Sequence, residues 1–98
     1  MAKPHEVELA KEWIATEIAR WRGMSYSDLV EHEGEALHVE RMDPRGKTWI
    51  LETQFFWDDR RRKDIRVTVD VWDPDRRISR SVAIDAFIRA ADGSFLGE

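Results

Sequence analysis

Three side chains able to give or take a proton, His38, Glu52 and Asp70, fall in stretches whose residues alternate between apolar and polar. ALHVERM (36–42), TWILETQFFW (48–57) and IRVTVDVW (65–72) each carry this period of two, so each reads as a strand with one buried face and one open face. Asp43-Pro44-Arg45-Gly46 between the first two is a turn signal: proline suits the second position of a type I turn and glycine the left-handed position that follows. A three-residue Pro-Arg-Gly loop with Asp43 opposite Lys47 pairs Val39 with Leu51 and Leu37 with Thr53, whereas a slip of one residue sets apolar against polar along the hairpin. In that register His38 faces Glu52. Where Thr53 in turn meets Val69, Glu52 faces Asp70, and the three make a row across three strands flanked by Gln54, Arg66, Phe56 and Trp72.

Two directly opposed carboxylates repel, and the crowding raises the pKa of one of them. Acid–base sites use such arrangements, so His38, Glu52, Asp70 and Arg66 are candidate ligand-binding residues of a shallow polar pocket with an aromatic wall. The commoner outcome is a solvated sheet face on which Arg66 neutralises the acids, and this plainer outcome is the favoured expectation. Ile50, Phe56 and Trp72 on the same face are harder to leave in water. They define a candidate interaction surface, to be covered either by the C-terminal segment (Phe87, Ile88, Phe95, Leu96) or by a second copy of the chain as a homodimer.

Other chemistries lack their residues. There is no cysteine, hence no disulfide, thiolate metal site or cysteine nucleophile. The three histidines, His5, His32 and His38, never pair at metal-ligand spacing, and Asp43, Asp73 and Asp75 lie in turns without the ladder of acids of a calcium loop. The glycines nowhere form a phosphate loop. No catalytic residues, metal or cofactor are therefore assigned. The run FFWDDRRRKD (55–64) sets aromatics beside arginines in the manner of a nucleic-acid surface. Strand alternation, however, turns Phe55 and Trp57 inward and leaves Phe56 outside, ahead of a charged loop. The remaining basic residues, Arg45, Lys47, Arg76 and Arg77, fall at the other end of the sheet. A net charge of −4 and a divided basic surface argue against nucleic-acid binding.

The elements that must position the row follow from periodicity. HEVELAKEWIATEIARWR (5–22) places Val7, Ala10, Ile14, Ile18 and Trp21 on one helical stripe, widened by Leu9 and Trp13. Glu6 and Glu8 fall in its first turn, Arg20 and Arg22 in its last, Pro4 marks its start and Gly23 is placed just past its end. Ser25, followed three residues on by Asp28, starts a short second helix over about residues 26–32 that ends near Gly34. After Trp72-Asp73-Pro74-Asp75, another turn, RISRSV opens a fourth strand. In the final stretch Val82, Ala83, Ala86, Phe87 and Ala90 suit a helix, whereas Asp92-Gly93 between FIRA and SFL suits a hairpin. The favoured reading of AIDAFIRAADGSFLGE is a short turn near residues 83–86, a strand-like FIR and a turn at Asp92-Gly93.

The sum is a single α+β domain over residues 1–98: an N-terminal amphipathic helix and a short second helix on an antiparallel sheet of three to four strands. The first helix is expected to cover a face built from Leu37, Val39, Trp49, Leu51, Phe55, Val67, Val69 and Val71. Forty-two per cent hydrophobic residues and ten aromatics, five of them Trp, supply a core. The charge is uneven: residues 1–40 hold four Lys/Arg against nine Asp/Glu (net −5), and residues 41–98 hold twelve against eleven (net +1). No apolar run approaches the ~18 residues that span a membrane. The N-terminus carries acids where a signal peptide needs an apolar stretch, so a cytoplasmic protein is expected. Twelve Arg against four Lys suits a GC-rich bacterial genome, and the absence of Asn and Cys with a single Gln, Gln54, suits a thermophile.

FWDD (56–59) and the closing DGSFLGE (92–98) together resemble a group of small uncharacterised bacterial proteins of about this length. The resemblance implies no activity, substrate or cofactor. The expected function is that of a non-catalytic module binding itself or a protein partner through the face with Phe56 and Trp72. The alternative is a small-ligand binder or minor enzyme using His38, Glu52 and Asp70.

Overall fold

The computed structural model describes residues 3–75 and 81–98. Helix α1 (Pro4–Arg22) begins where Glu6 reaches back to accept a hydrogen bond from the Lys3 amide (2.9 Å). It buries Ala10, Ile14, Glu17, Ile18 and Trp21 along one stripe. Gly23 follows directly, but at φ −77° it stays in the right-handed region: its amide still donates to Ala19 and that of Met24 to Trp21, so no left-handed glycine is needed to end this helix. Helix α2 (Tyr26–Glu31) is capped as its sequence implies, with the Asp28 amide donating to Ser25 Oγ at 3.1 Å. It is pinned by Leu29, which is fully buried, and by the Tyr26 hydroxyl, which donates to the Lys63 carbonyl.

Five strands follow in an antiparallel sheet of order β1-β2-β3-β4-β5: β1 (Ala36–Met42), β2 (Thr48–Trp57), β3 (Ile65–Trp72), β4 (Ser81–Arg89) and β5 (Phe95–Leu96). The first hairpin has the expected register, with Val39 opposite Leu51 and His38 opposite Glu52, and the second sets Thr53 opposite Val69 and Glu52 opposite Asp70. Asp43 explains the tightness of the first turn. Its carboxylate accepts from the amides of Arg45 and Lys47 (both 2.9 Å) and from the Trp49 indole (3.2 Å), while Gly46 takes φ +85°. Burial alone would raise the Asp43 pKa, but the Lys47 amide, the Trp49 indole and the Arg45 amide outweigh it and hold the carboxyl below its ordinary value.

The core is made where the inward residues of β2 and β3 (Trp49, Leu51, Phe55, Ile65, Val67, Val69, Val71) meet Phe87 of β4 and the buried stripe of α1. Trp21 and His32 pack on Phe55 at ring separations of 4.9 Å each.

Three expectations are corrected. The sheet has five strands rather than three to four, because the turn at Asp92-Gly93 returns Phe95 and Leu96 to pair with Arg89 and Ile88. Residues 83–86 form no turn: β4 runs unbroken from Ser81 to Arg89, opposite all of β3. Helix α1 packs over β3 and β4, so it does not cover the whole inner face, and Val39 on β1 remains 39% exposed. Within RISRSV (77–82) the fourth strand is in place from Ser81; residues 76–80, with the basic pair Arg76 and Arg77, lie outside the described residues.

Candidate functional site

Strand alternation sorts the outer face of the sheet into rows. His38, Glu52 and Asp70 form one across β1, β2 and β3, continued on β4 by Ile84. His38 Nε2 is hydrogen-bonded to Glu52 Oε2, and the imidazole meets the Trp72 ring edge-on with centroids 6.4 Å apart. Glu52 is the more sheltered partner, its side chain 19% exposed against 51% for His38.

A fourth polar group joins the row where sequence patterning gives no sign of it. The β3–β4 register shifts between Val71 and Trp72: Val71 faces Ala83, yet Trp72 faces Ser81, so one residue is looped out. Such a bulge re-aims the side chains beside it. The Ser81 hydroxyl consequently donates to Asp70 Oδ2 at 2.6 Å. Glu52, Asp70, Trp72 and Ser81 line a concavity of about 240 Å³.

The electrostatics of this concavity centre on Asp70. Burial raises its pKa, the Ser81 hydroxyl opposes the rise, the charge of Glu52 adds to it and His38 offsets it again; the balance stays above the ordinary carboxylate value. The pair thus combines a carboxylate braced by an imidazole with a second carboxyl that holds its proton more tightly than usual, against an indole wall. A polar ligand with hydrogen-bond donors fits such chemistry. Arg66 does not join it. Its guanidinium turns to Asp58, just past the end of the neighbouring β2, with Nε and Nη2 at 2.7 and 2.6 Å from one carboxylate oxygen, and leaves Glu52 and Asp70 to each other.

The apolar residues of the outer face surround this polar centre. Ile50 and Trp72 are half-buried, Phe56 and Leu96 are each 39% exposed and Ile84 is 63% exposed. The C-terminal segment does not cover them. It lengthens the sheet instead: Phe87 and Phe95 turn inward and meet edge-on at 5.9 Å, while Ile88 and Leu96 extend the open face. A second concavity, of about 420 Å³, lies between the outer side of α1 and the first turn, lined by His5, Glu8, Leu9, Glu12 and Pro44. Among the described residues, no three His, Asp or Glu side chains converge as a metal site would require, and no helix is long and apolar enough to cross a membrane.

The loop that closes FFWDDRRRKD is organised by its own acids. Asp59 accepts from the amides of Lys63 and Asp64, Asp58 holds Arg66, and Arg62 takes φ +56°. No family model matches the chain, and no curated protein or solved structure matches it either.

Proposed function

We propose that this chain is a non-catalytic interaction module that binds another protein chain, a second copy of itself included, through the outer face of its sheet. The observation that carries this reading is that Ile50, Phe56, Trp72, Ile84, Ile88 and Leu96 share one face on which the C-terminal segment, the obvious cover, does not lie. Apolar side chains gathered on one face in this way mark contact surfaces. The full chain with Phe56→Ser and Ile84→Ser together tests the reading. Both side chains are exposed, so the fold should persist by circular dichroism. Chemical-shift changes that spread over Ile50, Trp72 and Ile88 as the wild-type concentration rises should weaken in the double variant by at least about tenfold in midpoint. Wild-type shifts that never touch this face would sink the proposal.

A second reading, a small polar ligand held among Glu52, Asp70, Ser81 and Trp72, is favoured by the concavity itself and by the raised Asp70 pKa. It shares the same face, and a partner's side chain could fill the concavity as readily as a free molecule.

A further inference from the structure

The two long edges of the sheet are not alike. On the far side, β5 covers the end of β4 at Ile88 and Arg89. The rest of β4 is guarded by the means sheets use against edge pairing: the bulge opposite Val71 and Trp72, and an inward-facing charge, Asp85, whose carboxylate takes up the neighbouring Ala86 amide at 2.8 Å. On the near side β1 has no bulge, and its inward-facing charge, Arg41, lies next to the end of the strand, opposite Trp49. The strand pairs with β2 through seven consecutive residues, Ala36 to Met42, with no proline. Among the described residues, no strand pairs on its other side.

The hydrogen-bond phase of β1 shows which groups that edge presents. The Asp43 amide bonds the Lys47 carbonyl and the Phe55 amide bonds the Glu35 carbonyl, so the odd-numbered residues of β1 are turned toward β2. Ala36, His38, Glu40 and Met42 therefore direct their amides and carbonyls outward. Above this edge the helical layer is missing, which leaves the inward-facing Val39 39% exposed; Met42, on the outer face, is 67% exposed.

We propose that β1 pairs antiparallel with β1 of a second copy about a twofold axis through Val39, joining two sheets into one. The sequence of the strand is complementary to itself in this register alone. With Val39 opposite Val39 of the partner, all seven residues pair, His38 meets Glu40 of the partner on the outer face, and Leu37 lies against the stem of the partner's Arg41 on the inner face. Moving the axis to His38 or to Glu40 sets two imidazoles or two carboxyl groups opposite each other and shortens the ladder to residues 36–40 or 38–42. This inference goes beyond the outer-face reading, because it uses the edge of the sheet rather than its face.

The test uses the full chain. Sedimentation of the wild type should show a dimer that forms on the order of tens of micromolar, as suits a small interface. His38→Glu and Glu40→Lys should each shift the midpoint upward at least tenfold, by placing two acids or two bases opposite each other, and an equimolar mixture of the two should dimerise again. The chain has no cysteine, so Val39→Cys supplies an independent readout. A non-hydrogen-bonded antiparallel pair brings its α-carbons to about 4.5 Å, within disulfide range. Val39→Cys should crosslink to a dimer under mild oxidation, and Met42→Cys should not. A wild type that stays monomeric to about ten times that concentration, or equal crosslinking at residues 39 and 42, overturns the proposal. So does a dimer indifferent to both charge reversals. If the Phe56/Ile84 double variant abolishes association while the charge reversals do not, the outer face is the interface and the edge is not; the reverse pattern keeps the edge and removes self-association from the face.

Discussion

An ionised Asp70 is partly buried and has to coexist with Glu52 directly across the strand pair, and the Ser81 hydroxyl that bonds it does not fully offset the cost. The consequence for stability has a definite sign. A carboxyl whose folded pKa lies above its unfolded one contributes stability that is complete below the unfolded value, near pH 4, and is lost as pH rises through the folded value. Asp70→Asn removes that loss and keeps an oxygen for Ser81. The variant should therefore be more stable than the wild type at neutral pH, by at most about 1 kcal/mol because the group is half in water, and no more stable near pH 3. Urea melts at the two pH values check this, and a wild type at least as stable at pH 7 would show that the crowding is relieved. The row itself was legible in the sequence, because the turn chemistry of Asp43 to Lys47 and the alternation of three strands leave little choice of register. Ser81 was not. Its place depends on a bulge, and a bulge inserts one residue without leaving a period that a pattern could detect. Nor was the fate of Arg66, since the choice between Asp58, just past the end of the neighbouring β2, and Asp70, four residues along β3, is one of side-chain geometry.

Among the elements, α2 shows how little a short helix owes to its own propensity. Six residues cannot hold a helix in water, so the segment survives by its cap and by what it buries. Leu29 has no exposed surface and lies in the core with Trp21 and Phe55, where it closes the end of the sheet. Leu29→Ala should cost about 2–5 kcal/mol, and Ser25→Ala, which removes only the cap, about 1 kcal/mol. Chemical denaturation distinguishes the two; a cost for Leu29→Ala no larger than that of the cap would mean that α2 is not docked. The cap and the inward leucine could both be read from SYSDLV, and β4 shows the opposite case. Asp85 interrupts AIDAFIR with a charge on the face that should be apolar, which makes a continuous strand look like a turn between two pieces. The strand tolerates it because Asp85 lies near an edge, exposed to water, and bonds the amide of Ala86. Solvent access of that kind is settled by tertiary position, which a single stretch of sequence does not encode.

At the scale of the molecule, one helical layer serves five strands and does not reach them all. Placing α1 over β3 and β4 seals Val67, Val69 and Val71 completely but leaves β1 with an open edge and a half-covered inner face. Local stability should follow this asymmetry, because opening is cheapest where apolar contacts are fewest. Hydrogen exchange of the dilute chain should find the amides of β3, paired on both sides, slowest and limited by global unfolding. The edge-facing amides of His38 and Glu40 should be among the fastest of any strand. The two groups should respond differently to concentration. Raising the protein from a few micromolar to a level where β1 pairs with a second β1 should slow His38 and Glu40 by at least about tenfold, in proportion to the population of the paired state. The amides of Leu37 and Val39, already bonded to β2, should slow less. Protection gained instead at Ile84 and Ser81 would place the contact on the guarded edge. Equal slowing of even- and odd-numbered β1 residues would point to general tightening of the fold rather than to a new ladder of hydrogen bonds.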